Sequence, residues 1–481
     1  MPPRSPHPCG GGLRVVVALL ACALIGLYPT NASATNASHV HTKPLHRLAF
    51  GSCNDQALKE EQKIWHAIAD TEPDAWLWLG DNIYSDEKMK ALPKVFKPAT
   101  VDEMRVMYRE QKDMPEYVAF RERVPTIMGT WDDHDYGKDD AGKEFPLKRE
   151  TQSLFLDFFD VPQDSYRRTR EGVYDAHVFG PPGRRVKLII LDTRYFRDPI
   201  GSDGDMLGDA QWAWLERELN GSDAQWHLIG SSVQFIPNHH ATLCPATDFD
   251  GSPIMVESWA HFPRERRRML SLLERTRTEG AVFLSGDVHM GEILRNPAGC
   301  MMPYPLLEVT SSGMTHSATD SWPPWMLKPM ERISPNPSGL GLFFWRNFAT
   351  IDFAWEPEPS ITLSVRDAEG AVVLEQTARL IDLGFGDVEE GTLGGEGKGK
   401  GKGGKRGVRR RQCQHEEDLP FVVRCRFSLA LLLLLVVLYC ALAAVALKVF
   451  NAGRAALVRM GGGNAAEGGV KKGGGGVKKR E

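Results

Sequence analysis

The chain has 481 residues, of which 42% are apolar and 25% are charged, so it is long enough for one large domain or two ordinary ones with a real core. Its eight cysteines are too few and too scattered for a small disulfide-stapled scaffold. The net charge of −4 conceals a division, because residues 391–481 carry 18 Lys/Arg and 6 Asp/Glu, a balance of +12 that leaves −16 on residues 1–390. A body this acidic argues against nucleic acid as its partner.

The N-terminal segment has the pattern of a secretory signal peptide. Arg4 and Arg14 precede an apolar run at residues 15–28, and small residues follow at 32–34. This order of basic, apolar and small residues predicts a signal peptide over residues 1–34 that is removed after translocation. An uncleaved membrane anchor is the alternative.

The central part of the chain predicts an α/β fold. Between residues 45 and 380, short apolar runs alternate with amphipathic helical stretches, a pattern typical of helices packed on β-sheets. The apolar runs predict strands at residues 45–50, 75–79, 126–128, 186–191, 226–230, 281–284 and 306–310. One helix is predicted in DAQWAWLERELNG, with Asp209 as its N-cap and Gly221 as its stop.

Polar residues follow nearly every predicted strand. In chain order the sequences are GSCND, GDNIYSD, GTWDDHD, DTRYFRD, SSVQF, SGDVHMGE and SSGMTH. A single Gly-Asp after a strand is most often a turn that caps the next helix, but turn chemistry explains seven such strand ends poorly. Since loops at the carboxyl ends of strands bind ligands in α/β sheets, these residues predict a site at that edge.

The stretch GTWDDHDYGKDD, residues 129–140, concentrates five aspartates around His134. Carboxylates at this density repel one another unless a cation or a donor neutralises them. A solvated acidic turn is one interpretation. A calcium loop of the EF-hand type is another, but Gly137 supplies no ligand and Lys138 occupies the position that needs glycine. The third interpretation is the wall of a cation cluster.

Three cysteines, Cys53, Cys244 and Cys300, fall in the central body. If two of them form a disulfide, one thiol remains free, and Cys53 lies directly after a predicted strand. Its position makes it a candidate site residue.

The C-terminal part predicts a membrane anchor. A Gly/Lys/Arg-rich stretch at residues 386–426 cannot bury a core and predicts a flexible linker. Residues 427–447 are 21 uncharged, mostly apolar residues that would extend about 30 Å as a helix, the thickness of a bilayer core. A basic, Gly-rich tail follows at residues 448–481 and contains Lys478 and Lys479 near its end.

Taken in order, the motifs LAFGSCND, LWLGDNIYSD, GTWDDHDYGKDDAG, GDAQWAWLERELNG, FLSGDVHMGE and VTSSGMTHS resemble those of PhoD-like alkaline phosphatases. This family is a branch of the calcineurin-like metallophosphatases, and the resemblance spans roughly residues 45–355. It implies a sandwich of two β-sheets flanked by helices, within a catalytic domain over residues 45–385.

The resemblance also implies a metal site with Fe³⁺ and Ca²⁺, although other divalent metals remain possible. Cys53 matches the family's thiolate ligand, Asp81 the carboxylate between two metals, and Tyr84 the phenolate ligand of iron. A thiolate suits iron. Three further residues match metal ligands: Asp133, Asp287 and His289. Asp287 replaces a histidine of the wider superfamily, which favours calcium at the second position.

Three residues carry catalytic predictions. His134 matches the imidazole that faces the phosphate, and Asp135 is expected to orient it. Arg194 could bind substrate phosphate through its guanidinium, although an arginine after a strand is more often a salt-bridge partner. The roles of six other polar residues stay open: Asp132, Asp139, Asp140, Gln234, His316 and Asn347.

The resemblance predicts hydrolysis of small phosphate monoesters by attack of a metal-bound hydroxide, with His134 assisting the leaving group. The alternatives are hydrolysis of phosphodiesters at the same site, or a catalytically degraded, calcium-dependent binding module at the cell surface or in the lumen. The predicted location is a secretory-pathway membrane, with one anchoring helix and a luminal or extracellular catalytic domain. Lys478 and Lys479 resemble a dilysine signal for the endoplasmic reticulum, or they merely continue the basic tail.

Overall fold

The computed structural model describes residues 39–89, 95–124, 126–200, 202, 204–236, 257–325, 327–328, 339–386 and 426–462. The predicted signal peptide, most of the predicted linker, and Lys478 and Lys479 lie outside these residues. The described strands are β1 (His39–His41), β2 (Arg47–Gly51), β3 (Ala75–Leu79), β4 (Glu87–Met89), β5 (Val95–Lys97), β6 (Ile127–Thr130), β7 (Asp175–Phe179), β8 (Val186–Ile190), β9 (Trp226–Gly230), β10 (Ala281–Ser285), β11 (Gly291–Asn296), β12 (Leu306–Ser311), β13 (Gly339–Phe343), β14 (Asn347–Ala354), β15 (Ser360–Asp367) and β16 (Val372–Arg379).

The described α-helices are α1 (Ile64–Asp70), α2 (Val101–Lys112), α3 (Pro115–Arg123), α4 (Asp133–Tyr136), α5 (Lys148–Phe158), α6 (Gly208–Leu219), α7 (Pro263–Arg275), α8 (Ala318–Ser321) and α9 (Arg426–Gly462). All seven predicted strands are present within one or two residues of their predicted bounds. The α/β fold with two sheets and flanking helices is therefore confirmed.

Two sheets organise the described chain. One has eight strands in the order β1-β7-β8-β9-β10-β12-β11-β13, and the other has six in the order β16-β15-β14-β2-β3-β6. Strands β4 and β5 form a separate antiparallel pair. Within the six-stranded sheet β2, β3 and β6 are parallel, and within the eight-stranded sheet β8, β9, β10 and β12 are parallel. The loops after these parallel strands are the ones that the sequence motifs occupy.

Strand β3 shows how the alternation of side chains creates two cores. Leu77 and Leu79 belong to a hydrophobic cluster that includes Ile189 and Phe283 of the eight-stranded sheet. Trp76 and Trp78 point to the other face, because successive side chains of a strand alternate, and belong to a second cluster. Trp65 of α1 lies against both tryptophans with ring centroids 5.1 Å apart. Both faces of β3 are buried, which explains its uninterrupted apolar sequence.

Helix α6 corrects one detail of the sequence prediction. The helix begins at Gly208, and the preceding Leu207 occupies the N-cap position without a capping side chain. Asp209 lies in the first turn, where a negative charge favours the helix dipole. The predicted end is confirmed, because the helix stops at Leu219 and Gly221 follows with φ of +71°.

Helix α9 belongs to a separate compact unit of the chain. Within it, residues Leu432–Ala455 form a 24-residue segment with a mean hydropathy of 2.7, long and apolar enough to cross a membrane. The large apolar side chains of this segment are exposed, among them Leu433 and Val437. Length and composition thus agree with the predicted anchor.

Candidate metal centre

Strand ends from both sheets meet at one place. Thr130, at the end of β6, donates its hydroxyl to the carbonyl of Leu191 after β8 at 2.8 Å. The N–H of Gly313, after β12, donates to the carbonyl of Ser52 after β2 at 3.2 Å. These hydrogen bonds between the two sheets bring the polar loops of the sequence motifs together.

One set of side chains there, the Cys53 group, combines a thiol, a carboxylate, a phenol and an imidazole. Cys53, Asp81 and His289 place ligand atoms within 4.8 Å of one another, and Sγ of Cys53 lies 3.5 Å from Oδ2 of Asp81. The hydroxyl of Tyr84 lies 3.1 Å from Nε2 of His289. The ring of His316 lies 4.3 Å from that of His289. The structure therefore brings four predicted metal ligands into one group and places His316 against it.

Ser312 ties the Cys53 group to the eight-stranded sheet. Its hydroxyl oxygen lies 2.9 Å from Sγ of Cys53 and accepts a hydrogen bond from the backbone N–H of His289 at 2.7 Å. Asn347 in turn donates to the carbonyl of Ser312 at 3.0 Å. Asn347 thus fixes the loop that positions two predicted ligands. The sequence reasoning missed Ser312, although it stands in the quoted motif SSGMTH.

A second set, the carboxylate group, consists of Asp132, Asp133 and Asp287, whose oxygens lie within 4.8 Å of one another. Ligand atoms of Asp81, Asp133 and His134 likewise lie within 4.8 Å of one another. Asp81 therefore belongs to the Cys53 group and also lies next to Asp133 of the carboxylate group. Asp287 lies with the carboxylates and His289 with the thiol, so the two predicted ligands of the motif GDVH belong to different groups.

His134 lies beside both groups and is held by a carboxylate that sequence reasoning did not assign. Its Nδ1 lies 2.5 Å from Oδ1 of Asp86, and its ring lies 4.3 Å from that of Tyr84. The other oxygen of Asp86 accepts from the backbone N–H of Asp139 at 2.7 Å. The backbone N–H of Asp140 likewise donates to Oδ2 of Asp133 at 2.8 Å. Asp139 and Asp140 thus orient the site through their backbone amides.

The prediction that Asp135 orients His134 is wrong. Oδ1 of Asp135 accepts from the backbone N–H of Asp132 at 2.6 Å, and Oδ2 accepts from the side-chain amide of Asn82 at 2.5 Å. Consecutive residues of a helix project about 100° apart and do not share a face. In the short helix α4, Asp135 therefore points to the backbone of the preceding turn while His134 points to Asp86.

Arg194 is fully buried and serves as an ion-pair partner, the alternative to its predicted phosphate-binding role. Its Nε donates to Oδ1 of Asp132 at 2.5 Å, and its Nη2 pairs with Glu257. Arg197 pairs with the same glutamate. The sequence reasoning missed Glu257, since no motif surrounds it. The side-chain amide of Gln234 donates to Glu292 and Thr310.

Comparison with known proteins identifies the family of this chain. Residues 48–320, more than half of the chain, match the PhoD-like phosphatase family. The chain belongs to this family. It is 23% identical over 278 residues to alkaline phosphatase D of Bacillus subtilis (strain 168), a match that covers 51% of this chain and 46% of that protein. The chain thus spans about half the length of this curated relative.

A solved structure shows the same fold. The structure titled "Structure of PhoD" superposes with a TM-score of 0.53 at 17% identity, over 72% of each chain. The purple acid phosphatase PPD1 from yellow lupin (Lupinus luteus) seeds gives a TM-score of 0.43 at 12% identity, over 70% of this chain and 54% of that one.

In this PhoD-like chain, four of the predicted ligands have unusual backbone conformations. The φ angles are 62° at Cys53, 49° at Asp81, 70° at Asp287 and 57° at His289. Positive φ in residues other than glycine costs about 1–3 kcal/mol and persists where the surrounding structure enforces it, often at functional sites. The four conformations aim these side chains into the site.

The side chains fit a bound cation. Oδ1 of Asp81, Oδ2 of Asp132 and Oδ2 of Asp287 are buried without a hydrogen-bond partner among the described residues. Burial raises the pKa of Asp81 and of Asp287 well above the ordinary value, and it raises the pKa of Cys53 to about 11. Buried carboxylate oxygens without donors are what a metal ion would satisfy, since it supplies the missing positive charge.

Proposed function

We propose that this chain is a metal-dependent phosphoesterase that hydrolyses phosphate monoesters. The observation that carries the proposal is the position of Asp81, whose side chain lies close to Cys53 and His289 and also close to Asp133, next to His134. A carboxylate shared in this way suits two cations held side by side, the arrangement used for in-line displacement at phosphorus.

The two groups differ in the cation that they favour. The thiol of Cys53, with Tyr84 and His289, supplies sulfur, phenol and imidazole, which suit iron. The carboxylate group supplies oxygen alone, which suits a hard cation such as calcium. When bound, such cations neutralise the charge of the phosphate and activate water.

His134 is proposed as the general acid that protonates the leaving oxygen. Its Nδ1 faces Asp86, so Nε2 is the nitrogen left for the substrate. Asp86 holds the ring in one orientation and stabilises its imidazolium form, in which Nε2 carries the proton to be donated. Arg194 helps only indirectly in this proposal, because its ion pairs hold Asp132 and Glu257 in place.

The test combines metal analysis with turnover of two synthetic substrates by the purified full chain. Turnover of an aryl phosphate monoester well above that of the matching bis-aryl diester is expected, in preparations that contain metal. His134→Ala serves as the matched inactive variant. A preference for the diester would move the proposal to phosphodiester hydrolysis. A chain that keeps its metal but turns over neither ester would be the calcium-dependent binding module instead.

We further propose the predicted domain order, with a signal peptide, a luminal or extracellular catalytic domain over residues 45–385, a linker and one membrane helix. Protection of the catalytic domain from protease in sealed microsomes is the expected result, and cleavage there would contradict it. If Lys478 and Lys479 act as a retrieval signal, the double variant Lys478→Ser/Lys479→Ser should move from the endoplasmic reticulum to later compartments. Unchanged location of the double variant would exclude the retrieval signal.

A further inference from the structure

The edge of the eight-stranded sheet carries a second group of histidines and a carboxylate, the His39 cluster, which consists of His39, His41, Asp175 and His177. Strands β1 and β7 pair in parallel, with His39 opposite His177 and His41 opposite Phe179. Because side chains two residues apart share a face of a strand, all four polar side chains project to the same side. None of them belongs to the Cys53 group or the carboxylate group.

Three ligand atoms of this cluster converge. Nε2 of His39 and Nε2 of His177 each lie 3.4 Å from Oδ2 of Asp175, and the three atoms lie within 4.8 Å of one another. Two ligands about 2.0–2.1 Å from a tetrahedral zinc ion are separated by about 3.3 Å. The spacing around Asp175 therefore matches two edges of a zinc tetrahedron.

Two of these atoms are buried and lack a well-formed hydrogen bond. Oδ2 of Asp175 and Nε2 of His177 have no hydrogen bond of acceptable geometry among the described residues. Arg167 places Nη1 at 2.8 Å from Oδ2 of Asp175, while the other carboxylate oxygen accepts from the N–H of Ala176. A carboxylate oxygen has two lone pairs, so the ion pair with Arg167 leaves one lone pair of Oδ2 for a further partner.

His41 would fix the tautomer of His177. Its Nε2 lies 3.2 Å from Nδ1 of His177. With the proton of His177 on Nδ1 and donated to His41, the lone pair of Nε2 points toward Asp175, as in metal-bound histidines whose second nitrogen is hydrogen-bonded. Entry is open from one side, because the side chain of His39 is 49% exposed.

We propose that His39, Asp175 and His177 bind one zinc ion, or a divalent ion of similar preference, at the sheet edge, with solvent as the fourth ligand. Imidazole and carboxylate ligands suit zinc and copper better than calcium. Bound there, the ion links the three-residue strand β1 to β7 and so fixes the N-terminal end of the described chain to the sheet. This is a structural site, separate from the proposed phosphoesterase centre.

The test uses the full chain in detergent, stripped with a chelator, dialysed and titrated with Zn²⁺ by calorimetry. His39→Ala should bind one equivalent fewer than the wild type, and His66→Ala, which removes an exposed histidine of α1, should not. Addition of zinc should also slow the amide hydrogen exchange of β1 in the wild type but not in His39→Ala. Equal stoichiometry in the wild type and in His39→Ala would overturn the proposal, provided that both unfold at the same temperature without zinc.

A variant of the other centre separates the two proposals. Asp81→Asn should weaken binding at the phosphoesterase centre but retain the equivalent that His39→Ala loses. If Asp81→Asn abolishes all zinc binding while His39→Ala changes nothing, the sheet-edge site is excluded and the proposed function stands. If instead His39→Ala loses all zinc binding and Asp81→Asn changes nothing, the sheet-edge site is retained and the phosphoesterase centre loses its support.

Discussion

Oδ1 of Asp86 lies 2.5 Å from Nδ1 of His134, and the other oxygen of the same carboxylate is fixed by the N–H of Asp139 at 2.7 Å. In Asp86→Asn, the amide oxygen must take the place facing Asp139, which turns the NH₂ toward His134. That group cannot accept the Nδ1 proton, so the imidazolium that donates from Nε2 would lose the carboxylate that stabilises it. We expect kcat to fall by roughly 10²-fold or more, close to the roughly 10²- to 10⁴-fold loss in His134→Ala, with little change in KM.

Asp135→Asn is the matched control for this prediction. Asp135 accepts from Asn82 and from the backbone of Asp132, so its replacement should lower the melting temperature, and the loss of turnover should follow the loss of folded protein. A fall in kcat at unchanged stability in Asp135→Asn, with Asp86→Asn active, would return the orienting role to Asp135.

Cys53→Ser should lose one metal per chain, because a hydroxyl is a poor substitute for a thiolate on a borderline metal. Ser312→Ala keeps the thiol but removes the hydroxyl between Cys53 and His289, and we expect metal affinity to fall by only 10- to 100-fold. Elemental analysis after dialysis measures both. Full metal content in Cys53→Ser would show that the thiol is not a ligand.

Metal removal should reverse the effect of Asp287→Asn on stability. Oδ2 of Asp287 is buried beside Asp132 and Asp133 without a partner, so the stripped chain should become more stable when this charge is removed. With calcium present, the wild type should be the more stable protein, since an ion bound only by the folded state stabilises it by about 2.7 kcal/mol at 100 times its Kd. Thermal unfolding with and without chelator measures the crossover. If Asp287→Asn changes the stability in the same direction with and without chelator, the result would count against a cation at the carboxylate group.

Arg194→Gln should act mainly on stability. The substitution leaves Asp132 and Glu257 buried without their guanidinium partner, and breaking a buried pair typically costs about 3–5 kcal/mol. Arg149→Gln is the control, because Arg149 and Glu171 form an exposed pair expected to contribute less than about 1 kcal/mol. Urea unfolding compares the two. An unchanged free energy of unfolding with a raised KM would restore the phosphate-binding role.

His227 should make the fold sensitive to mild acid. Burial lowers its pKa from 6.5 to about 4, and its two nitrogens lie 2.8 Å from the Glu279 carbonyl and 2.9 Å from the Ser222 hydroxyl. As the pH falls, His227 is therefore protonated in the unfolded chain before it is protonated in the folded chain. Stability is full above pH 6.5, falls as the pH drops toward 4, and the loss amounts to about 3 kcal/mol. His227→Gln should flatten the slope of unfolding free energy between pH 7.5 and 4.5, and an unaltered slope would contradict the prediction.

The strands that sequence analysis predicted are those with both faces buried. Strand β3 is apolar throughout because Leu77 faces the other sheet and Trp78 faces the helices. Strands such as β16 alternate exposed and partly buried residues, so they lack the uninterrupted apolar run that marks β3. The apolar pattern therefore revealed the parallel strands, which lie at the centre of the eight-stranded sheet and on one side of the six-stranded sheet, better than antiparallel strands such as β16.

Sequence analysis predicted which residues after the strands form the site, but not which residues of different motifs contact one another. Cys53, Asp81 and His289 follow strands directly, and the structure brings them together. Asp86 is 48 residues from His134, and no local spacing relates them. Asp135 was the nearer carboxylate in sequence, but adjacent positions on a helix point in different directions, so proximity along the chain gave the wrong partner.

The proposed ligands come from both sheets, and this affects the order in which the protein is made. Cys53, Asp81 and Asp133 follow strands of the six-stranded sheet, whereas Asp287 and His289 follow β10 of the eight-stranded sheet. Roughly 200 residues separate Asp81 from Asp287, which at about 5–20 residues per second is about 10–40 s of synthesis. During that interval Cys53, Asp81 and Asp133 have been synthesised, whereas Asp287 and His289 have not. Neither ligand group can be completed before the second half of the domain has emerged, so metal loading belongs to the end of biosynthesis, in the compartment that the finished domain has reached.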